Sequence, residues 1–177
     1  MSKVRNPHLV PTGALATGFV APSVNVEKAI SIEKNIASNE LLFAFDKKQV
    51  ESEIIWQMQD NTVRDAEYGT LVVPSNTWAA GTTQLPFVSS SAARIVAETG
   101  KADTSDQAVN LDQITQISKQ ESPNQLNPTG AVVYSIVFTY KGVDFGPRTI
   151  KWSYAAEGDR NTVFNELTNN VAGMTFL

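Results

Sequence analysis

The sequence predicts a mainly β protein: an antiparallel sheet sandwich or barrel, with one short C-terminal helix and an extended N-terminal arm. Three stretches carry that expectation. Residues 131–156, AVVYSIVFTYKGVDFGPRTIKWSYAA, alternate heavy apolar with mixed positions, and successive strand side chains face opposite ways. After them, Val163, Phe164, Leu167 and Val171 recur at helical spacing. Before them, Pro7, Pro11, Gly13, Gly18 and Pro22 interrupt any regular pattern in residues 1–23.

Taken in order, residues 1–23 form the arm, and residues 24–177 form a single β-rich domain with a polar loop region near 100–130. A tail of this composition needs a surface to order it. That surface is either a neighbouring subunit or the arm's own domain. Lys3 and Arg5 precede a moderately apolar run at 9–21, but its prolines and glycines break it and no A-x-A site follows. A cleaved signal peptide is therefore not expected.

Val24, Val26, Ile30 and Ile32 share one parity and predict a strand. Leu41, Phe43 and Phe45 predict a second, with a turn at Ser38-Asn39 between them. The run 50–58 fits two templates. Ile54, Trp56 and Met58 alternate as a strand, whereas Val50, Ile54 and Met58 fit a helix. Strand is preferred, because strands precede it and Leu71-Val72-Val73 follows. Pro74 ends that apolar run, and 75–91 reads as a long irregular connection in which Trp78, Leu85 and Phe87 tuck against the sheet. Residues 92–97 fit a strand or one helical turn. In 100–130, Ala108, Leu111, Ile114 and Ile117 offer a weak apolar edge, either a short helix or an edge strand, before a loop at 124–130.

In the hairpin, Val132, Tyr134, Ile136, Phe138 and Tyr140 form one face, and Ile150, Trp152 and Tyr154 repeat the pattern on the return. A tight turn at Lys141-Gly142 with a bulge at Gly146-Pro147 would connect them, or 142–147 is wholly loop. Asp159 is the expected N-cap of the C-terminal helix and Gly173 its stop.

Charged residues make up 18% of the chain, below the roughly 25% usual for soluble domains, with Ser, Thr, Asn and Gln in their place. Such a weakly charged surface suits contact with other protein, since Lys and Glu are depleted at interface cores. The net charge of −4 argues against nucleic acid as a partner. The absence of cysteine removes disulfides, zinc-thiolate sites and cysteine nucleophiles. The sequence has no apolar run of ~20 residues to span a bilayer as a helix.

Chemistry is sparse. His8, the sole histidine, lies in the arm, so a Ser/His/Asp or Cys/His arrangement is not expected. Glu51 and Glu53 would share one face of a strand and read as a solvated face rather than a glycosidase pair. Asp103, Asp106 and Asp112 do not match calcium-loop spacing. Gly142 and Gly146 lack the Gly-Lys-Ser/Thr end of a phosphate loop. Trp56, Trp78 and Trp152 could form a stacking platform for a sugar or a base. Trp152 alternates with the core positions of its strand and reads as core, and Trp78, in a loop, is the tryptophan best placed for contact. No catalytic, cofactor-binding or metal-binding residue is assigned, and no enzyme activity is expected. The residues expected to make assembly contacts are Pro7, His8, Leu9, Val10, Pro11, Phe19, Trp78 and Phe87.

At class level the chain resembles a bacteriophage structural protein: cysteine-free, rich in Ser, Thr, Asn and Gln, with an extended N-terminus before a β domain. Its end, RTIKWSYAAEGDRNTVFNELTNNVAG at 148–173, is similar to the strand-then-helix end of small phage coat proteins. The resemblance implies a self-assembling virion component in a capsid, decoration or tail role, assembled in the host cytoplasm. Its partners would be copies of itself and other virion proteins, with no membrane, nucleic-acid or small-molecule partner. The basic face of a genome-contacting coat is not evident, so all three roles stay open. The alternative is a monomeric β-sandwich module for a ligand such as carbohydrate, with its site at Trp78. An enzyme is the third and weakest reading.

Overall fold

The computed structural model describes residues 8–35, 37–45, 53–78, 87–123, 130–140, 148–169 and 175–176. In chain order these form β1 (His8–Leu9), β2 (Val24–Asn25), β3 (Ala29–Asn35), β4 (Glu40–Phe45), β5 (Glu53–Gln57) and α1 (Asn61–Leu71). There follow β6 (Val72–Pro74), β7 (Phe87–Ser89), β8 (Ala108–Asn110), a 3-10 turn (Leu111–Gln113) and β9 (Ile114–Pro123). The chain ends with β10 (Val132–Tyr140), β11 (Arg148–Tyr154), α2 (Glu157–Thr168) and β12 (Thr175–Phe176).

The protein is mainly β, as its alternating stretches require. Among the described residues, one sheet runs β5-β4-β3-β8-β7-β6, a second runs β11-β10-β9-β12, and β1 pairs with β2. Neither large sheet closes on itself, so the architecture is stacked sheets rather than a barrel. Most pairings are antiparallel. Two are not: β6 lies parallel to β7 and β12 parallel to β9. A parallel pair needs a crossover of about a dozen residues or more rather than a tight turn, and β6 and β7 lie that far apart in sequence.

Period-two alternation separates two cores across the short strands β6, β7 and β8. Val72, Phe87 and Ala108 face a first core with Leu41, Phe43, Trp56, and Tyr68 and Leu71 of α1. Their neighbours Val73, Val88 and Val109 face a second core with Ile117, Ile136, Phe138, Trp152, Tyr154, and Val163 and Leu167 of α2. The six-stranded sheet is thus the middle layer at this end. Each core holds an edge-on aromatic pair, Phe43–Trp56 and Phe138–Trp152, both with ring centroids 4.6 Å apart.

The central hairpin forms as expected, with Ile136 opposite Trp152 and Phe138 opposite Ile150. Its connection, 141–147, lies outside the described residues. Elsewhere the structure departs from the sequence reading. The strand expected over 24–32 breaks into β2 and β3, because Asn25 closes a turn by accepting from Lys28 N at 3.1 Å. Strand was the preferred reading of 50–58, and β5 forms within it, residues 50–52 lying outside the described set. Residues 92–97 form neither strand nor helical turn; Ile95 makes isolated bridges to Ala102 and Ser153. The polar stretch after 108 is not an edge. Its ten-residue strand β9 lies between β10 and β12.

Helix α1 was not read in the sequence at all, and Leu71, assigned there to a strand, is its last residue. The side chain of Asp60 caps it, accepting from Val63 N at 2.8 Å. The C-terminal helix begins at Glu157 after Ala156, which makes no side-chain cap bond. Asp159 is therefore not the cap. It sits in the first turn with Glu157, where negative charge complements the helix dipole. The expected continuation through Val171 to a stop at Gly173 lies outside the described residues.

Candidate functional site

The N-terminal segment carries most of the expected contact residues, and from residue 8 onward it lies on its own domain. His8 and Leu9 pair with Asn25 and Val24. Leu9, Leu15 and Ala21 pack against the first core. Ala16 N donates to Gln57 O and Gln59 N to Ala14 O, each at 3.0 Å, so the segment extends the outer edge of β5. Glu67 of α1, 4% exposed, clamps the turn beside it. Its carboxylate accepts from Thr12 N, Thr12 Oγ1 and Gly13 N at 2.8–3.2 Å. A buried carboxylate is tolerated when donors surround it in this way.

The expected contacts therefore divide. Val10 is 60% exposed and His8 is exposed, whereas Leu9, Pro11 and Phe19 are half-buried. Pro7 lies outside the described residues. Trp78 and Phe87 tuck against the sheets, as expected for 75–91, and both are buried. Phe87 is fully buried in the first core as part of β7, and Trp78 packs in the second. That burial leaves Phe87 no surface and Trp78 little surface for a neighbour or a sugar.

A cavity of about 350 Å³ opens where α1, the end of β7 and the loop 102–107 meet. Its polar lining includes Tyr68, Ser90, Arg94, Asp103, Asp106 and Gln107. Arg94 governs it. The side chain is 6% exposed, and its Nη1 lies 3.3 Å from Asp103 Oδ2. Its guanidinium carbon stands 5.4 Å from the centre of the Trp152 ring, a cation–π arrangement. Its Nη2 is buried without a hydrogen-bond partner. A buried donor left unmade costs about 1–3 kcal/mol, and more when charged.

The acids around Arg94 are already engaged. Burial alone would push the Asp103 carboxyl up. Hydrogen bonds from Ser105 and the Arg94 charge outweigh it and hold the group below the usual carboxylate value. Asp106 has a positive φ of 46°, which Asp tolerates better than most residues. Its carboxylate meets Lys34 Nζ at 2.9 Å, and its carbonyl accepts from the Tyr68 hydroxyl. Burial, then the Asp106 charge, raises the Tyr68 phenol far above its ordinary value. On the other side, Ser90 Oγ lies 2.9 Å from the Tyr154 hydroxyl, and burial raises that phenol too.

A second hollow of about 390 Å³ lies across the 102–105 strip, lined by Glu33, Lys34, Asn35 and Thr104 among others. Burial, then the charges of Glu53 and Asp103, raises the Glu33 carboxyl above its ordinary value. No group of three or more metal-ligating side chains occurs among the described residues. The chemistry available at both hollows is hydrogen bonding and charge pairing. Sequence reading missed the cleft, because Tyr68, Ser90, Arg94 and Gln107 belong to no motif and come from separate segments. No protein-family model, no curated protein and no solved structure matches the chain.

Proposed function

We propose that this protein is a self-assembling structural component of a virus particle, in a phage capsid, decoration or tail role. It acts through contacts with copies of itself and other virion proteins, and resides in the virion after assembly in the host cytoplasm. The observation that carries this reading is the N-terminal segment. It is an extended peptide held by strand-edge hydrogen bonds and the Glu67 clamp, and it turns Val10 and Val20 outward, 60% and 87% exposed. Ile55, 38% exposed on the outermost strand of the six-stranded sheet, adds an apolar position near the same edge. The net charge of −4 fits protein partners better than a genome.

No helix among the described residues is long and apolar enough to cross a membrane. Light scattering and electron microscopy of the purified protein at micromolar concentration test the reading. Oligomers or particles are expected. A monodisperse 19.2 kDa monomer would overturn it.

A further inference from the structure

We infer that the cleft at Arg94 binds a neutral polyhydroxylated ligand, the chemistry of a terminal sugar of a glycan. Its volume of about 350 Å³ lies at the low end of the roughly 300–1,000 Å³ typical of small-ligand sites. Charge decides the class. An anion would reach Arg94 only alongside the carboxylates of Asp103 and Asp106. A cation would face the Arg94 guanidinium and find both carboxylates occupied, Asp103 by Arg94 and Ser105, and Asp106 by Lys34.

A hydroxyl avoids both conflicts, because it donates and accepts without adding charge. Ligand oxygens would accept from the Arg94 guanidinium where it lines the cleft. Ligand protons would go to carboxylate lone pairs or to the Gln107 amide oxygen. Ala92, Ala93 and Ala102 line the remaining wall and leave room for the C–H face of a ring. This site is independent of the assembly reading and of the interior Trp78.

Saturation-transfer NMR suits the protein whether it is monomeric or assembled, with a panel of methyl glycosides as probes and phosphate and acetate as anionic competitors. The expected result is saturable binding of at least one glycoside, undisturbed by either anion. Ala93→Trp, at an exposed cleft position, should abolish it while leaving the melting temperature and the light-scattering mass unchanged. Arg94→Lys keeps the charge but loses the planar fork, and should weaken binding about tenfold, the loss of one charge-assisted hydrogen bond. Should Arg94→Lys fail to fold, Ala93→Trp decides alone. The inference is overturned if no glycoside binds, if the anions displace it from the site, or if Ala93→Trp binds as well as the parent.

Discussion

Gly13 stands where Val63, Met58 and Glu67 converge, and a β-carbon there would come within 2.7 Å of Val63 Cγ1 and 3.2 Å of a Glu67 oxygen. The close approach lets Glu67 accept from Gly13 N at 2.8 Å. Gly13→Ala should therefore loosen the N-terminal segment and destabilise the protein by roughly 1–3 kcal/mol, the usual penalty of overpacking. Thermal melting and limited proteolysis near residues 8–20 measure both effects, and unchanged protection would refute the clamp. Glu33 gives a pH-dependent case. Its folded value is raised, so the ionised form is disfavoured in the fold, and the penalty appears as pH rises above the ordinary carboxylate range. Glu33→Gln should stabilise the protein at neutral pH by less than about 1 kcal/mol, since the group is partly exposed. The gain should vanish below that range. Melting curves of both proteins across acid and neutral pH check the sign.

At the scale of elements, legibility depended on which side chains fill the buried positions. The strands β10 and β11 could be read because Ile136, Phe138, Trp152 and Tyr154 are both apolar and buried. Helix α1 could not. Its buried positions are Arg64, Glu67, Tyr68 and Leu71, a regular helical spacing in which half the members are charged. Arg64 is satisfied by Asn35 O at 2.9 Å and by Asp65, and Glu67 by the N-terminal segment. Hydrophobic periodicity is blind to charges whose partners lie elsewhere in the chain. Helix α2 repeats the arrangement with Arg160, Val163, Phe164 and Leu167, where only one position is charged, and it was legible. The surviving local signal for α1 is its cap. Asp60→Ala should lower stability by about 0.5–2 kcal/mol in a denaturant titration, and no change would remove the cap from the account.

At the scale of the molecule, β6, β7 and β8 serve two cores at once. A strand buried on both faces reads as a continuous apolar run, and Val72-Val73 and Phe87-Val88 are such runs. Sharing these strands couples the layers, and the buried amide of Asn110 ties β8 to the start of β3 by donating to Val26 O and Ala29 O. The two cores should unfold together. Trp56 lies in the first and Trp152 in the second, so tryptophan fluorescence and far-ultraviolet circular dichroism of the intact protein should trace one common denaturant midpoint. Two separated midpoints would mean that the layers are independent.

By itself the sequence determined that the chain is mainly β, where its longest hairpin runs, and that a helix closes its C-terminal part. Those properties follow from local side-chain periodicity. Only the tertiary structure decided the order of the strands, the two parallel pairings, the helix α1, the burial of Trp78 and Phe87, and the cleft around Arg94. The physical reason is that alternation says a face is apolar without saying what covers it. A buried charge such as Glu67 or Arg94 becomes intelligible only once its distant partner is in place.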